Sequence, residues 1–451
     1  FLAKIKSIIP ATTFRRLATL YHFLLAFLGA LWHRFPSRQL IVIGVTGTKG
    51  KTTVVHLLHD ILQTSGAKVA SVSSLRFRIG DAEKRNELKM TMPGQLFLQG
   101  FLRRAVSERC KYALVEVTSQ GIIQSRHRFI RFSGAVMTNV APEHIEAHGG
   151  FEKYLRAKLD LFWRLPKDAV AVINRDDPNW RRFAASTAAH RVLYGKEAIV
   201  SNGRRWDTTD VSMRGDGISF EIRGQEMRSG LLGEFNFYNV LAAAAAGLSR
   251  GIALGKIASA IADFDGVPGR MEFIQREPFA AVVDYAHTPD SLRSVYQTLR
   301  SEIRNPIPDQ VGDEIRNLIC VLGSAGGGRD KWKRPEMGRV AAEFCSEIIL
   351  TNEDPYDENP GAILDEIAAG FSQIRNPIPD QVGDEIRKIV DRREAIRQAL
   401  RMARSGDTVI ITGKGAECWI MGPGGVKIPW DDRQVAREEL GKLHYDYGKR
   451  V

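Results

Sequence analysis

The chain has 451 residues, 44% hydrophobic, 26% charged and 8% aromatic, which excludes a disordered or fibrous protein and supplies apolar material for more than one buried core. At about 150 residues per domain the length fits two or three domains. The formal net charge of +12 favours anionic partners, yet the basic residues are scattered without an aromatic-interleaved run, so charge alone does not choose among nucleic acid, phosphorylated metabolites and a membrane face.

In chain order, FLLAFLGALW at 23–32 is an unbroken apolar run preceded by Arg15 and Arg16 and followed by Arg34. A spanning helix needs about 20 such residues. An interfacial helix and a helix packed on the following domain both fit, the second being the more ordinary. From Gln39, LIVIGVTG reads as a parallel strand buried on both faces, and TTVVHLLHDILQTSG as the helix after it, ending at Ser65-Gly66. KVASVSS, YALVEVTS, GAVMTN and AVAVIN alternate with helix-like QLFLQGFLRRAVSE and FEKYLRAKLDLFWRL, which implies a parallel α/β sheet. Around 192–230 short alternating segments such as GISFEIR predict an antiparallel hairpin or two, followed by the helix NVLAAAAAGLSRG. A turn-rich break at Gly266-Val267-Pro268-Gly269 suggests a boundary. Beyond it AAVVDYAHT, NLICVLGS, SEIILTN and DTVIITG predict a second, Rossmann-like sheet with ligands at the carboxyl ends of its strands.

The fourteen residues IRNPIPDQVGDEIR occur identically at 303–316 and 374–387; two copies are too few for a solenoid, and both read as inserted surface loops. Cys110, Cys320, Cys345 and Cys418 are too far apart for a local metal knuckle, and free thiols in a reducing setting are expected.

The strongest local signal is GVTGTKGKTT at 44–53, a strand, a glycine loop and a helix start. Backbone N–H groups there can cradle phosphates, with Lys51 reaching the terminal phosphates and Thr52 binding Mg²⁺. Val45 stands where the common phosphate loop has its first glycine.

This loop, together with the motifs downstream of it, resembles the ATP-dependent Mur ligase family, which joins amino acids to the cell-wall precursor, and those motifs are closest to the third step of that series. The resemblance implies a central P-loop ATPase-like domain with a mostly parallel sheet at 41–268 and a C-terminal Rossmann-like α/β domain at 269–451. Residues 1–40 form an apolar and basic leader where the family has a domain holding the uridine nucleotide, so either that domain is lost or the branch lacks it. ATP is assigned to Gly47, Thr48, Gly50, Lys51, Thr52 and Thr53, with Asn239 of the FNxxN-like helix start, Arg270 of GRME, and Asp284 and His287 of DYAHTPD. Metal is assigned to Thr52, Glu116 of EVTSQG, His144 of TNVAPEH, and Lys158 of YLRAK, the last when carbamylated. Taken alone, Glu116 and His144 read as capping or buried polar residues and Lys158 as a surface residue. Substrate is assigned to Thr91, Ser119, Gln124, Arg126, Arg329, Asp354, Tyr356, Gly413 and Glu417.

The chain departs from the family at Thr91-Met92-Pro93, which loses one hydroxyl, at Glu143-His144 for Asp-His, and at Ala416 for a histidine. The diaminopimelate-selecting DNPR is Glu353-Asp354-Pro355-Tyr356, and a tyrosine cannot make the arginine's bidentate carboxylate contact. The implied reaction phosphorylates a peptide γ-carboxylate with ATP, Lys51, Lys331 and Mg²⁺ neutralising the transferring group, before an amino acid attacks the acyl phosphate; Lys158 and His144 complete the catalytic set. ATP and Mg²⁺ are the expected cofactors. A muropeptide-type substrate and a free amino acid are the expected partners, with no nucleic acid. A cytoplasmic monomer is expected, with room for a peripheral membrane contact through the leader. Related ligation of folyl- or poly-γ-glutamate or of a lipid-linked muropeptide, and a degenerate nucleotide-binding scaffold, are the alternatives.

Overall fold

A strand between two helical layers needs apolar residues on both faces, and Ile41–Thr46 (β1) supplies them: all but its first residue are buried. The computed structural model describes residues 11–88, 90–142, 148–214, 217–304, 317–371 and 386–448. The chain divides into two compact units, Phe1–Ser212 with Ser219–Gly230 and Phe235–Phe264, and Asp265–Val451 with Met213–Ile218 and Leu231–Glu234. Except for their ends, the two copies of the repeat lie outside the described residues, and so does the expectation that they are surface loops.

In the first unit β1 is joined by β2 (Val69–Val72), β3 (Arg76–Ile79), β4 (Ala82–Arg85), β5 (Tyr112–Glu116), β6 (Phe132–Met137), β7 (Val170–Asn174), β8 (His190–Tyr194), β9 (Ala198–Ser201), β10 (Arg204–Arg214), β11 (Gly217–Ile222) and β12 (Gln225–Ser229). They form one twelve-stranded sheet of order β12-β11-β10-β9-β8-β7-β6-β1-β5-β2-β3-β4. Its centre, from β8 to β2, is parallel, whereas β9 and β10 on one side and β3 and β4 on the other add antiparallel. The hairpins expected near 192–230 therefore extend the parallel sheet, because β9 pairs directly with β8. The β3–β4 hairpin carries no strong alternation, and β4 is exposed at every residue; its charged side chains suit a sheet edge.

Helices α1 (Ala11–Trp32), α2 (Lys51–Thr64), α3 (Gln95–Ser107), α4 (Ser119–Ile123), α5 (Phe151–Trp163), α6 (Trp180–Ser186), α7 (Glu234–Ser249) and α8 (Leu254–Ala262) complete this unit. Val42, Ala113, Val115, Leu98, Leu102 and Phe162 share its core. The alanine run of α7, residues 242–246, is buried throughout, and a Cβ on the following Gly247 would meet Ile61 and Ile257, so small side chains are what allow α7 to lie close to α2 and α8.

The second unit holds β13 (Glu272–Gln275), β14 (Ala280–Asp284), β15 (Leu318–Leu322), β16 (Glu347–Thr351), β17 (Arg387–Ile389) and β18 (Thr408–Thr412) in the order β13-β14-β18-β15-β16-β17. All neighbours are parallel except β13 and β14. Helices α9 (Pro289–Arg304), α10 (Lys333–Phe344), α11 (Pro360–Ala368), α12 (Arg392–Met402) and α13 (Asp432–Gly448), with a hairpin of β19 (Trp419–Met421) and β20 (Lys427–Pro429), complete it. The four sequence-predicted strands are its central four. Arg392 and Asp432 form a fully buried ion pair, and the guanidinium also donates to Asn352 O and Thr412 O, so none of its charge is left uncompensated.

Free thiols at all four cysteines are not what the structure shows. Cys320 and Cys345 form a disulfide, their Cα atoms 6.0 Å apart across 25 residues of sequence. Cys320 lies in β15 and Cys345 precedes β16, its parallel neighbour, and only that crossover brings the two together. Cys110 and Cys418 are free.

Candidate active site

At the carboxyl end of β1 the chain turns through Thr46–Gly50 into the N-terminus of α2, whose first N–H groups have no partner inside the helix and face the loop. Gly47 has φ 154° and Gly50 φ 80°. A Cβ on Gly47 would stand 1.8 Å from Thr138 Oγ1, and one on Gly50 2.0 Å from Asn239 Oδ1. The glycines are therefore required by close approach as well as by conformation. Gly47→Ala is expected to weaken ATP binding by about tenfold or more, since strain of about 1–3 kcal/mol falls on the loop itself; isothermal titration with ATP measures it.

Around that loop the fold gathers residues from several segments. Lys51 Nζ donates to Gly47 O at 3.0 Å and Thr48 O at 2.7 Å. Thr52 Oγ1 lies 3.2 and 3.1 Å from the two carboxylate oxygens of Glu116, at the end of neighbouring β5, and 2.9 Å from Ser74 Oγ. Ser74 N also donates to Glu116. Lys158, on α5, donates to Gly47 O at 2.6 Å and lies over the Tyr154 ring. It is almost wholly buried, which corrects its reading as a surface residue. Tyr154 OH pairs with Thr48 Oγ1 at 2.9 Å. Lys49 N donates to Asn139 Oδ1 and Thr48 N to Asn139 O. Asn239, from α7, donates to Asn236 Oδ1. Thr53 is buried in the first turn of α2.

Thr52 and Ser74 hydroxyls and the Glu116 carboxylate converge as hard oxygen donors. Among the described residues no group of three His, Cys, Asp or Glu side chains is placed to hold a metal. That donor set fits Mg²⁺, which binds through one or two carboxylates with phosphate oxygens and waters rather than in a full protein cage. His144 lies outside the described residues. Ser119 Oγ pairs with His148 Nε2 at 3.1 Å, and His148 stacks edge-on against Tyr154. Thr118 caps α4 by accepting from Gly121 N.

Of the first unit's substrate candidates, Arg126 donates to Met92 O and to Gln124 Oε1, and burial lowers its pKa. Gln124 O in turn accepts from Gln95. Thr91 is half-buried. Met92, in the position of the lost hydroxyl, is buried, and a Cβ on Gly121 would touch its sulfur, so the substitution fills an apolar contact beneath α4.

In the second unit Asp284, at the end of β14, accepts from Met271 N at 2.7 Å and Ala286 N at 2.6 Å. The Arg270 guanidinium lies 3.9 Å from the Tyr285 ring centroid. His287 Nδ1 pairs with Tyr285 O, and Lys333 Nζ donates to His287 O. Lys331 pairs with Glu358 at 3.2 Å, its side chain mostly exposed.

Lys414 is fully buried and bonds Asp354 at 2.8 Å and Glu417 at 2.5 Å. Burial opposes its charge, but Glu417, Asp354 and Glu353 around it hold its pKa above the ordinary lysine value. Burial in turn raises the Glu353 pKa. Tyr285 OH donates to the other Glu417 oxygen at 3.0 Å. Gly413, φ 110°, has no room for a Cβ beside Glu353. Arg329 lies near Tyr285, Tyr356 and Glu353, and the Tyr356 ring covers Gly327.

Sequence reasoning missed Ser74, His148, Lys333 and Lys414 as side chains of these clusters. Ser74 offered one signal, its place just past the carboxyl end of a buried strand. Lys414 lies within the GKGAE run at 413–417, but nothing local shows that its ammonium faces three carboxylates.

The Mur ligase middle domain matches residues 45–247, and the Mur ligase glutamate ligase domain matches 269–415. The UDP-N-acetylmuramoyl-L-alanyl-D-glutamate--2,6-diaminopimelate ligase of Gloeobacter violaceus is 39% identical over 426 residues, covering 92% of this chain and 80% of that protein. The UDP-N-acetylmuramyl-tripeptide synthetase of Roseiflexus sp. is 36% identical over 440 residues, 93% and 82% of the two chains. Among solved structures, one of a UDP-N-acetylmuramoyl-L-alanyl-D-glutamate--2,6-diaminopimelate ligase aligns with TM-score 0.58 and 30% identity, covering 90% of this chain and 79% of that one. A Mycobacterium tuberculosis folylpolyglutamate synthase aligns with TM-score 0.67 at 18% identity over 87% and 92% of the two chains, a likeness of fold alone.

Proposed function

The chain belongs to the Mur ligase family, and from that premise we propose that it is an ATP-dependent ligase adding a free amino acid to the γ-carboxylate of a UDP-N-acetylmuramoyl-L-alanyl-D-glutamate acceptor. The observation that carries this reading is the convergence of Lys51, Thr52, Glu116 and Lys158 on one glycine loop at a helix N-terminus. We place the reaction in the cytoplasm, where ATP and nucleotide-linked sugars are made, and assign it to a monomer. Among the described residues no helix is long and apolar enough to cross a membrane.

ATP phosphates lie against the N–H groups of the loop and the first turn of α2, and Lys51 balances charge on the β- and γ-oxygens. Thr52, Ser74 and Glu116 would hold Mg²⁺, which when bound would offset the negative charge of the phosphates. The γ-phosphoryl passes to a carboxylate oxygen of the acceptor, giving an acyl phosphate and ADP. The amino acid's amine attacks the acyl carbon, the tetrahedral intermediate expels inorganic phosphate, and the amine proton leaves to solvent. Lys158 fixes the loop through Gly47 O, so its role here is positioning, and carbamylation of its amine would change what it offers from a cation to an oxygen ligand.

In the second unit Asp284 is held by two backbone N–H groups with its carboxylate fixed for a ribose, and Arg270 is stacked for a phosphate. Arg329 offers a planar fork to the amino acid's carboxylate. Glu417 offers a carboxylate to its ammonium. With Tyr356 beside Arg329, a second distal carboxylate meets a phenol rather than a guanidinium, so selection of meso-diaminopimelate over lysine by the bidentate contact is not expected.

Phosphate release tests the reading. With ATP, Mg²⁺ and UDP-N-acetylmuramoyl-L-alanyl-D-glutamate, release is expected only when a suitable amino acid is supplied, and mass spectrometry identifies which one was added. Silence across a panel of amino acids with this acceptor would sink the proposal, whereas activity on a folate or lipid-linked acceptor alone would move the enzyme to another branch of γ-glutamyl ligation.

A further inference from the structure

A helix packed on its own domain ordinarily turns its large apolar residues inward. Helix α1 does the reverse. Among the described side chains of this helix the buried residues are Ala26, Gly29 and Ala30, and they let its backbone lie close to α3, where a Cβ on Gly29 would meet Leu96. Leu17, Leu20, Leu24, Leu28 and Leu31 point away, each about half exposed. At 100° per residue they fall on one stripe with Tyr21 and Trp32 at its margins, and no charged residue interrupts it between 17 and 32. Trp32 is 82% exposed. From Leu17 to Trp32 the helix is about 24 Å long at 1.5 Å per residue, so the stripe is an extended apolar surface. It continues sideways into a hollow lined by Phe23, Phe129 and Trp163.

The sequence flanking this helix carries charge of one sign, and Asp160, beside the hollow, is paired with Arg164 and His127. Residues 1–59 contain no Asp or Glu, whereas Lys4, Lys6, Arg15, Arg16, Arg34 and Arg38 flank the stripe in sequence. Arg128 lies over the Phe23 ring and Arg164 over the Trp163 ring. An apolar stripe, marginal Tyr and Trp, and a rim of arginines are together the chemistry of a helix lying in a lipid headgroup layer.

We propose that the outward face of α1 docks this protein on a membrane surface bearing anionic lipid headgroups, the helix lying flat in the interface. The leucines enter the boundary of the acyl chains, Tyr21 and Trp32 sit at headgroup level, and the arginines meet the lipid phosphates. This surface is separate from the phosphate loop and carries no catalytic residue, so the proposal stands or falls apart from the ligase reading.

The test is sedimentation of the full chain with vesicles of phosphatidylcholine alone or mixed with phosphatidylglycerol, at low and high salt. Binding is expected to the mixed vesicles, weaker at high salt because exposed charges are screened, and reduced about tenfold or more in Leu24→Glu/Leu28→Glu. Both positions are exposed, so circular dichroism and phosphate release should match the parent. Failure to pellet with the mixed vesicles would overturn the proposal, as would binding indifferent to phosphatidylglycerol or to the double substitution. A dimer by light scattering that the double variant dissociates, without vesicle binding, would overturn it in favour of a second copy as the occupant of this face.

Discussion

Lys51→Ala is expected to lower amino-acid-dependent phosphate release by about 10²–10³-fold, the loss seen when one preorganised charge donor is removed from a transition state, while leaving the fold intact. The ammonium is held above the loop by Gly47 O and Thr48 O, where the α2 N-terminus already favours negative charge. The side chain sits at the rim, half-buried, and its truncation removes little packing. Steady-state release with saturating ATP, together with a thermal melt, separates the two effects. A loss of less than about tenfold would mean that Lys51 does not touch the group being transferred. A melt lowered along with activity would mean that the loop had collapsed.

Lys414→Met is expected to destabilise the second unit by about 3–5 kcal/mol, because it leaves buried carboxylates without their cation. The methionine conserves most of the volume, so packing contributes little. Asp354 and Glu417 each lose a direct partner, and Glu353, already pushed up by burial, loses one of the positive charges that lower its pKa. For a unit of this size the change corresponds to a fall of about 10 °C in Tm, which scanning calorimetry would resolve. Adding Glu417→Gln should restore part of the loss, since one uncompensated charge is then removed. A single variant that melts within about 2 °C of the parent would show that the cluster reorganises or takes up protons at little cost. Amino-acid addition should fall as well, because Glu417 is aimed jointly by Lys414 and Tyr285.

The two predictions differ in how visible their residues are before folding. Lys51 is legible because its function is local: a buried strand, glycines at a tight turn and a Lys-Thr pair opening a helix are consecutive, and the backbone conformation they require is the phosphate site. The alternation of apolar runs with helical spacing made the central strands of both sheets legible for the same reason. Glu116 and Asp284 were legible through the motifs that carry the family resemblance; taken alone, Glu116 reads as a capping or buried polar residue.

What the sequence determined by itself was therefore the α/β class, the central strands, the loop at 46–50 and the family. Tertiary structure alone decided that Lys158 is buried and bonded to Gly47, that Ser74 joins Thr52 and Glu116, and that Lys414 faces three carboxylates. It also decided that Cys320 meets Cys345 and that α1 turns its leucines outward. Each of these depends on which segments a crossover brings side by side, or on which face of a helix meets its neighbour. A contiguous run of residues fixes its own φ and ψ preferences and its own periodicity; it does not fix the partner, and burial, pairing and pKa belong to the partner as much as to the residue.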